Sequence, residues 1–244
     1  MPGAAYRPDL NPLPAFGISI NDGQDHGPTP SPPPARGPKK EYLAFAATVW
    51  NAGPSPLVVD AFRKPGADRM DAYQYFYDAS GKQVGWVPSG SMEWDDRDGH
   101  NHWHFTDFAT YRLLGADKTT VVRSQKEAFC LVPTDAVDLT VKQANWKPGS
   151  MDLHTACGDT TSMAIRETLD AGWGDTYLQD LPGQSFEVTD LPNGTYYIQV
   201  IANPENRLHE ASLKNNYSLR KVILGGVPGA RTVKVPLFQS VDAP

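Results

Sequence analysis

Apolar positions along this chain come in short runs, and many alternate with polar ones. Tyr42 to Trp50 is a nearly unbroken apolar run closed by Asn51-Ala52-Gly53-Pro54, the pattern of a strand in a buried sheet. Tyr73, Tyr75 and Tyr77 recur at period two, and Asp78-Ala79-Ser80-Gly81 turns the chain toward Gln83-Val84-Gly85-Trp86. Ser185 to Thr189, Pro192-Asn193-Gly194 and Tyr196 to Ile201 read as a hairpin-like pair. Tyr217 to Leu224 and Thr232 to Phe238 read as further strands, and one short helix is expected around Thr161–Leu169. The 21 glycines and 22 prolines are spread along the chain, so few windows stay free of breakers long enough for a long helix. The expectation is an all-β fold: a β-sandwich with long loops and little helix, in one domain spanning 1–244. Residues 21–40 carry Pro28, Pro30, Pro32, Pro33, Pro34 and Pro38. They read as a proline-rich surface loop, since the stretch before them is too short for a domain.

The formal net charge of -6 comes with no basic stripe, so no nucleic-acid partner is expected. No run approaches the ~20 apolar residues of a membrane span. Met1 to Pro8 lacks a charged start followed by an apolar stretch and does not read as a signal peptide, which leaves a cytosolic protein or a processed chain with an added methionine. Cys130 and Cys157 are the two cysteines. They read either as buried thiols or as one disulfide, which implies an oxidising compartment. Closing that loop is worth about 3–4 kcal/mol in the chain-entropy picture.

The segment Gly99-His100-Asn101-His102-Trp103-His104-Phe105 holds three of the six histidines at alternate positions. In a strand, alternate side chains share a face, so His100, His102 and His104 project together. Three imidazoles suit copper or zinc, and an open position lets such a site react. Carboxylates are absent from the ligand face, which argues against magnesium or calcium there. Because the outer Cα atoms of a straight five-residue strand lie about 13 Å apart, a bend or bulge is expected, helped by Gly99.

His100-Asn101-His102-Trp103-His104-Phe105-Thr106-Asp107-Phe108, with Glu93-Trp94 before it, resembles the copper-binding segment of lysyl oxidases. Lys126-Glu127-Ala128-Phe129-Cys130-Leu131 is similar to that family's Lys-x-x-Phe-Cys-Leu. Gly174-Asp175-Thr176-Tyr177, followed by Phe186 to Tyr196, is similar to its Asp-x-Tyr segment and following strands. The resemblance covers roughly residues 92–217, with Pro8-Asp9-Leu10 similar to the family's domain start. Two cysteines instead of many, and Trp94-Asp95-Asp96-Arg97-Asp98 where relatives often carry a further histidine, suggest a compact microbial relative.

The resemblance implies a secreted copper amine oxidase whose cofactor, lysine tyrosylquinone, forms from Lys126 and Tyr177. A neutral lysine amine is the nucleophile that adds to an oxidised tyrosine ring. The implied reaction turns primary amines, on lysine-containing peptides or proteins or on small molecules, into aldehydes, consuming molecular oxygen and releasing ammonia and hydrogen peroxide. Asp175, Asp107 and His154 are candidates for the base that removes the α-proton. The acidic balance of the chain favours cationic amines. Asn203-Pro204, Glu210 and Asn215-Asn216, with Asp9 and Leu10, resemble the stretch where relatives hold calcium, and Ser212 stands where an aspartate is common. The competing expectations are a three-histidine zinc hydrolase, with a carboxylate base near its metal, and a metal-stabilised binding sandwich, with Lys126 and Tyr177 far apart and exposed.

Overall fold

The computed structural model describes residues 2–21, 40–96, 101–146 and 154–238, with residues 125–127 described by backbone alone. The proline-rich loop, His100 and Gly99 lie outside these residues.

The described chain is built from strands joined by turns and loops, with a single 3₁₀ turn at Ala4–Tyr6. In chain order the strands are β1 Leu10–Pro12, β2 Phe16–Asn21, β3 Tyr42–Asn51, β4 Leu57–Arg63, β5 Arg69–Tyr77, β6 Gln83–Asp95, β7 His102–Leu114, β8 Val121–Phe129, β9 Asp135–Ala136, β10 Ala164–Leu169, β11 Trp173–Tyr177, β12 Ser185–Glu187, β13 Gly194–Ala202, β14 Tyr217–Val227 and β15 Ala230–Lys234. Two antiparallel sheets result, as expected of an all-β sandwich. One runs β1-β3-β11-β9, with β2 and β12 also paired to β3. The other runs β10-β4-β5-β6-β7-β13-β14-β15, with β8 also paired to β7.

The apolar run of β3 is buried along almost its whole length because it serves as the hub of the smaller sheet. Phe45 of β3 stacks on Phe186 of β12 at 5.2 Å and meets Tyr111 of β7 edge-on at 5.1 Å. These rings join the two sheets, and each fully buried ring contributes about 1.5–3 kcal/mol by leaving water. The core continues through Phe105, Phe108 and Leu113 of β7, Ile198 and Val200 of β13, and Val222 and Leu224 of β14.

The tyrosines at period two form β5, which turns at residues 78–82 into β6, as the pattern predicts. Two expectations are corrected. Thr161–Leu169 holds no helix: Ala164–Leu169 is β10, paired antiparallel with β4 over its full length. Its apolar side chains gain more from joining a sheet edge than a two-turn helix would gain alone. Ser185–Ile201 is not a hairpin either. β12 pairs with β3 in one sheet, whereas β13 pairs with β7 and β14 in the other. The linking loop crosses between sheets and is held by Arg231, which donates to Thr189 O, Leu191 O and Asn193 Oδ1. The last strand begins at Ala230 and ends at Lys234, so it covers only the first part of the expected Thr232–Phe238.

Candidate active site

The histidine segment enters β7 through Asn101, whose φ of 52° lies in the left-handed region that asparagine tolerates. β6 and β7 then pair with Trp94 opposite Trp103 and Asp95 opposite His102. His102 and His104 share a face, their ring centroids 4.7 Å apart. His104 is fully buried, and its Nδ1 lies 3.2 Å from Asp95 Oδ2. The expectation of a histidine face without carboxylates is corrected: Asp95 reaches it from the neighbouring strand, which alternation along one strand does not show. Trp103 faces away from the pair. Its indole N–H donates to Asp159 O at 2.8 Å, and its ring packs under the Arg63 guanidinium and against Trp94. Among the described residues no three His, Cys, Asp or Glu side chains make a group that could hold a metal ion. His100, the third member of the expected triplet, lies outside them.

The bend expected at the triplet, beside Gly99, lies outside the described residues; the irregularity that β7 shows comes beyond the triplet, at Asp107. Asp107 has φ 60°, and the pairing with β8 shifts between Phe105 and Ala109. At this bulge β7 exchanges β6 for β13 as its partner on that edge.

Asp175 and Tyr177 alternate on one face of β11. A Cβ at Gly174 would come within 2.5 Å of Thr48 Cγ2 and 3.2 Å of Trp50 Cβ, so glycine lets β11 close on β3. The Tyr177 ring stands edge-on to Phe129, centroids 4.2 Å apart. Burial pushes its phenol far above the ordinary range, the negative charges of Asp175 and Glu167 push further, and a hydrogen bond with the Cys130 backbone opposes them. Asp175 is 2% exposed, and its Oδ2 has no hydrogen-bond partner among the described residues. Burial raises this carboxyl well above its usual range. Glu167 of β10 is raised likewise, by burial first and the Asp175 charge after it. Lys126 lies on β8 with its backbone opposite Thr110, three residues before Phe129. Its side chain is outside the description.

Of the other base candidates, Asp107 sits 3.6 Å from Arg207 Nη2 in a cleft of about 280 Å³ shared with Glu93, Thr106 and Ala128. His154 is exposed and lines a different cleft with Asp60 and Arg166. The structure therefore brings Asp175 alone of the three onto the face of Tyr177.

Cys130 and Cys157 are joined, with Cα atoms 6.0 Å apart. The Cys157 carbonyl accepts the Trp103 N–H at 3.0 Å, so the disulfide links the end of β8 to the start of β7.

A second constellation lies between the amino-terminal segment and the loop before β14. Glu210 accepts the Leu10 N–H at 2.6 Å through Oε2, and the Asn203 and Asn216 amides, each at 2.7 Å, through Oε1. Asn215 donates to Asp9 Oδ1 at 3.2 Å. The buried Oδ1 atoms of Asn215 and Asn216 have no hydrogen-bond partner among the described residues.

Sequence reasoning missed Asp95 and Glu167. The register of β6 on β7 reveals the first. Nothing in Ile165-Arg166-Glu167-Thr168-Leu169 marks the second, which only the pairing of β10 with β4 turns inward.

A family model described as lysyl oxidase matches residues 79–227. Lysyl oxidase homolog 2 of Rattus norvegicus is 29% identical over 129 residues, covering 52% of this chain and 15% of that protein. Lysyl oxidase homolog 2 of Homo sapiens matches equally, and lysyl oxidase homolog 3B of Danio rerio is 30% identical over 132 residues, 52% of this chain and 14% of that protein. This chain thus spans about one seventh of the length of these relatives. With the match extending over more than half of its residues, the chain belongs to the lysyl oxidase family.

Proposed function

We propose that this protein is a copper-dependent amine oxidase that converts primary amines to aldehydes with release of ammonia and hydrogen peroxide. By family its substrate class is lysine side chains of peptides or proteins, with small primary amines as simpler ones. The observation that carries the reading is the half-buried Tyr177 phenol, packed against Phe129 and sharing a face with Asp175, whose Oδ2 has no hydrogen-bond partner among the described residues.

His100, His102 and His104 would hold the metal. The described pair fits: two rings lie on one face, and a carboxylate stands 3.2 Å from Nδ1 of one of them. With copper bound and oxygen present, the site gains the oxidation chemistry that makes a lysine tyrosylquinone of Lys126 and Tyr177, the electron acceptor for the amine. Asp175 takes the α-proton on Oδ2. Its raised pKa brings the carboxyl toward the range in which it can both accept and return a proton. Phe129 shields the ring of Tyr177 from water on one side.

Asp9, Leu10, Glu210, Asn215 and Asn216 would hold calcium, the unpartnered Asn215 and Asn216 oxygens being the hard donors that ion needs. The disulfide suits a secreted protein. Copper-loaded protein kept in air and given a primary amine is expected to release peroxide. Tyr177→Phe and His102→Ala should each reduce release to background; release at the parental rate from Tyr177→Phe would overturn the reading.

A further inference from the structure

Glu167 is 0% exposed, within the buried stretch of β10. Its Oε2 accepts the Leu131 N–H at 3.1 Å, the Phe105 backbone makes a second contact, and Oε1 has no hydrogen-bond partner among the described residues. An acid buried this way costs stability, and a well-packed apolar residue of similar volume would be neutral or better for the fold alone. Its neighbours give it another use. Phe105 follows His104 directly. Leu131 follows Cys130 at the end of the strand that carries Lys126. Asp175, with its own unpartnered oxygen, lies close enough for the two carboxyls to act on each other and on Tyr177.

We infer that Glu167 is a positioning residue of the Tyr177 site, bracing the histidine strand and the end of the lysine strand about the phenol and setting a second carboxyl beside it. The placement itself needs only these contacts, whereas its consequence for cofactor formation rests on the amine oxidase reading.

Two arms test it. In the metal-free chain, the ¹³Cζ resonance of Tyr177 is assigned by its loss in Tyr177→Phe and followed with pH. Glu167→Gln keeps an oxygen for the Leu131 N–H, so its melting temperature should stay near the parental one. The carboxyl-linked step in the Tyr177 resonance should nevertheless move by roughly one pH unit or more. An unchanged resonance and pH profile in Glu167→Gln would overturn the inference. In the second arm, air-exposed copper-loaded protein is assayed by mass for the Lys126–Tyr177 link. Glu167→Ala should slow its formation by about tenfold or more, as loss of supporting shells does, and Glu167→Gln should restore much of the rate with a displaced pH dependence. Parental rates in Glu167→Ala would overturn it as well. If the parent forms no link at all, the amine oxidase reading fails, and the resonance arm still decides the role of Glu167.

Discussion

Asp95 supplies what three alternate histidines lack on their own. A partner at one imidazole nitrogen biases which nitrogen faces a metal and orients the ring, and the Asp95 carboxylate stands 3.2 Å from His104 Nδ1. Asp95→Ala is expected to weaken copper binding by about 10–100-fold without unfolding the protein, measured by competition titration against a chelator of known affinity. The histidines were legible from spacing alone, because alternation fixes a face. Asp95 was not, since only the register of β6 on β7 places it opposite His102. Glu167 hid for another reason. Arg166-Glu167-Thr168 reads as solvated polar surface until β10 is known to pair with β4, where Arg166 answers Asp60 at 2.5 Å and Glu167 turns inward.

At the scale of elements, β7 does most to assemble the site. It carries the histidines while paired to β6, bulges at Asp107, and then runs between β8 and β13. The Cys130–Cys157 bridge fastens this arrangement, since Cys157 caps the Trp103 N–H and Cys130 ends the β8 segment that packs on Tyr177. Replacing both cysteines by serine should cost about 3–4 kcal/mol in denaturant unfolding, the value for a loop of this length. Phe45→Ala, which empties the aromatic contact between sheets, should cost about 3–5 kcal/mol in the same measurement. The sandwich was legible because turn residues punctuate short alternating runs. The hairpin reading of Ser185–Ile201 failed because nothing local reveals that Arg231, some forty residues on, clamps the intervening loop into a crossover.

For the whole molecule, the constellation around Glu210 ties the amino-terminal segment to a loop some two hundred residues later. Burial raises this carboxyl to about 7 despite its three N–H donors. A folded-state value above the unfolded one means the folded chain holds the proton more tightly. That contribution to stability is complete below the ordinary glutamate range of ~4.5 and is lost as pH rises through about 7. In chelator-treated protein, the melting temperature of the parent should therefore fall relative to Glu210→Gln as pH rises across that window. Calcium should reverse the trend in the parent, because a bound cation favours the ionised carboxyl and stabilises only the folded state. A parallel pH course for parent and variant, with no response to calcium, would remove calcium from the account. The candidate calcium residues were legible from motif order, whereas the burial that shifts Glu210 was not.

The most direct measurement of the central claim is peptide mapping by mass spectrometry after copper loading in air. A digest of the parent is predicted to contain one covalently joined pair of peptides bearing Lys126 and Tyr177, absent from the Tyr177→Phe digest. Fully copper-loaded protein whose Lys126 and Tyr177 peptides are recovered separate and unmodified would contradict it.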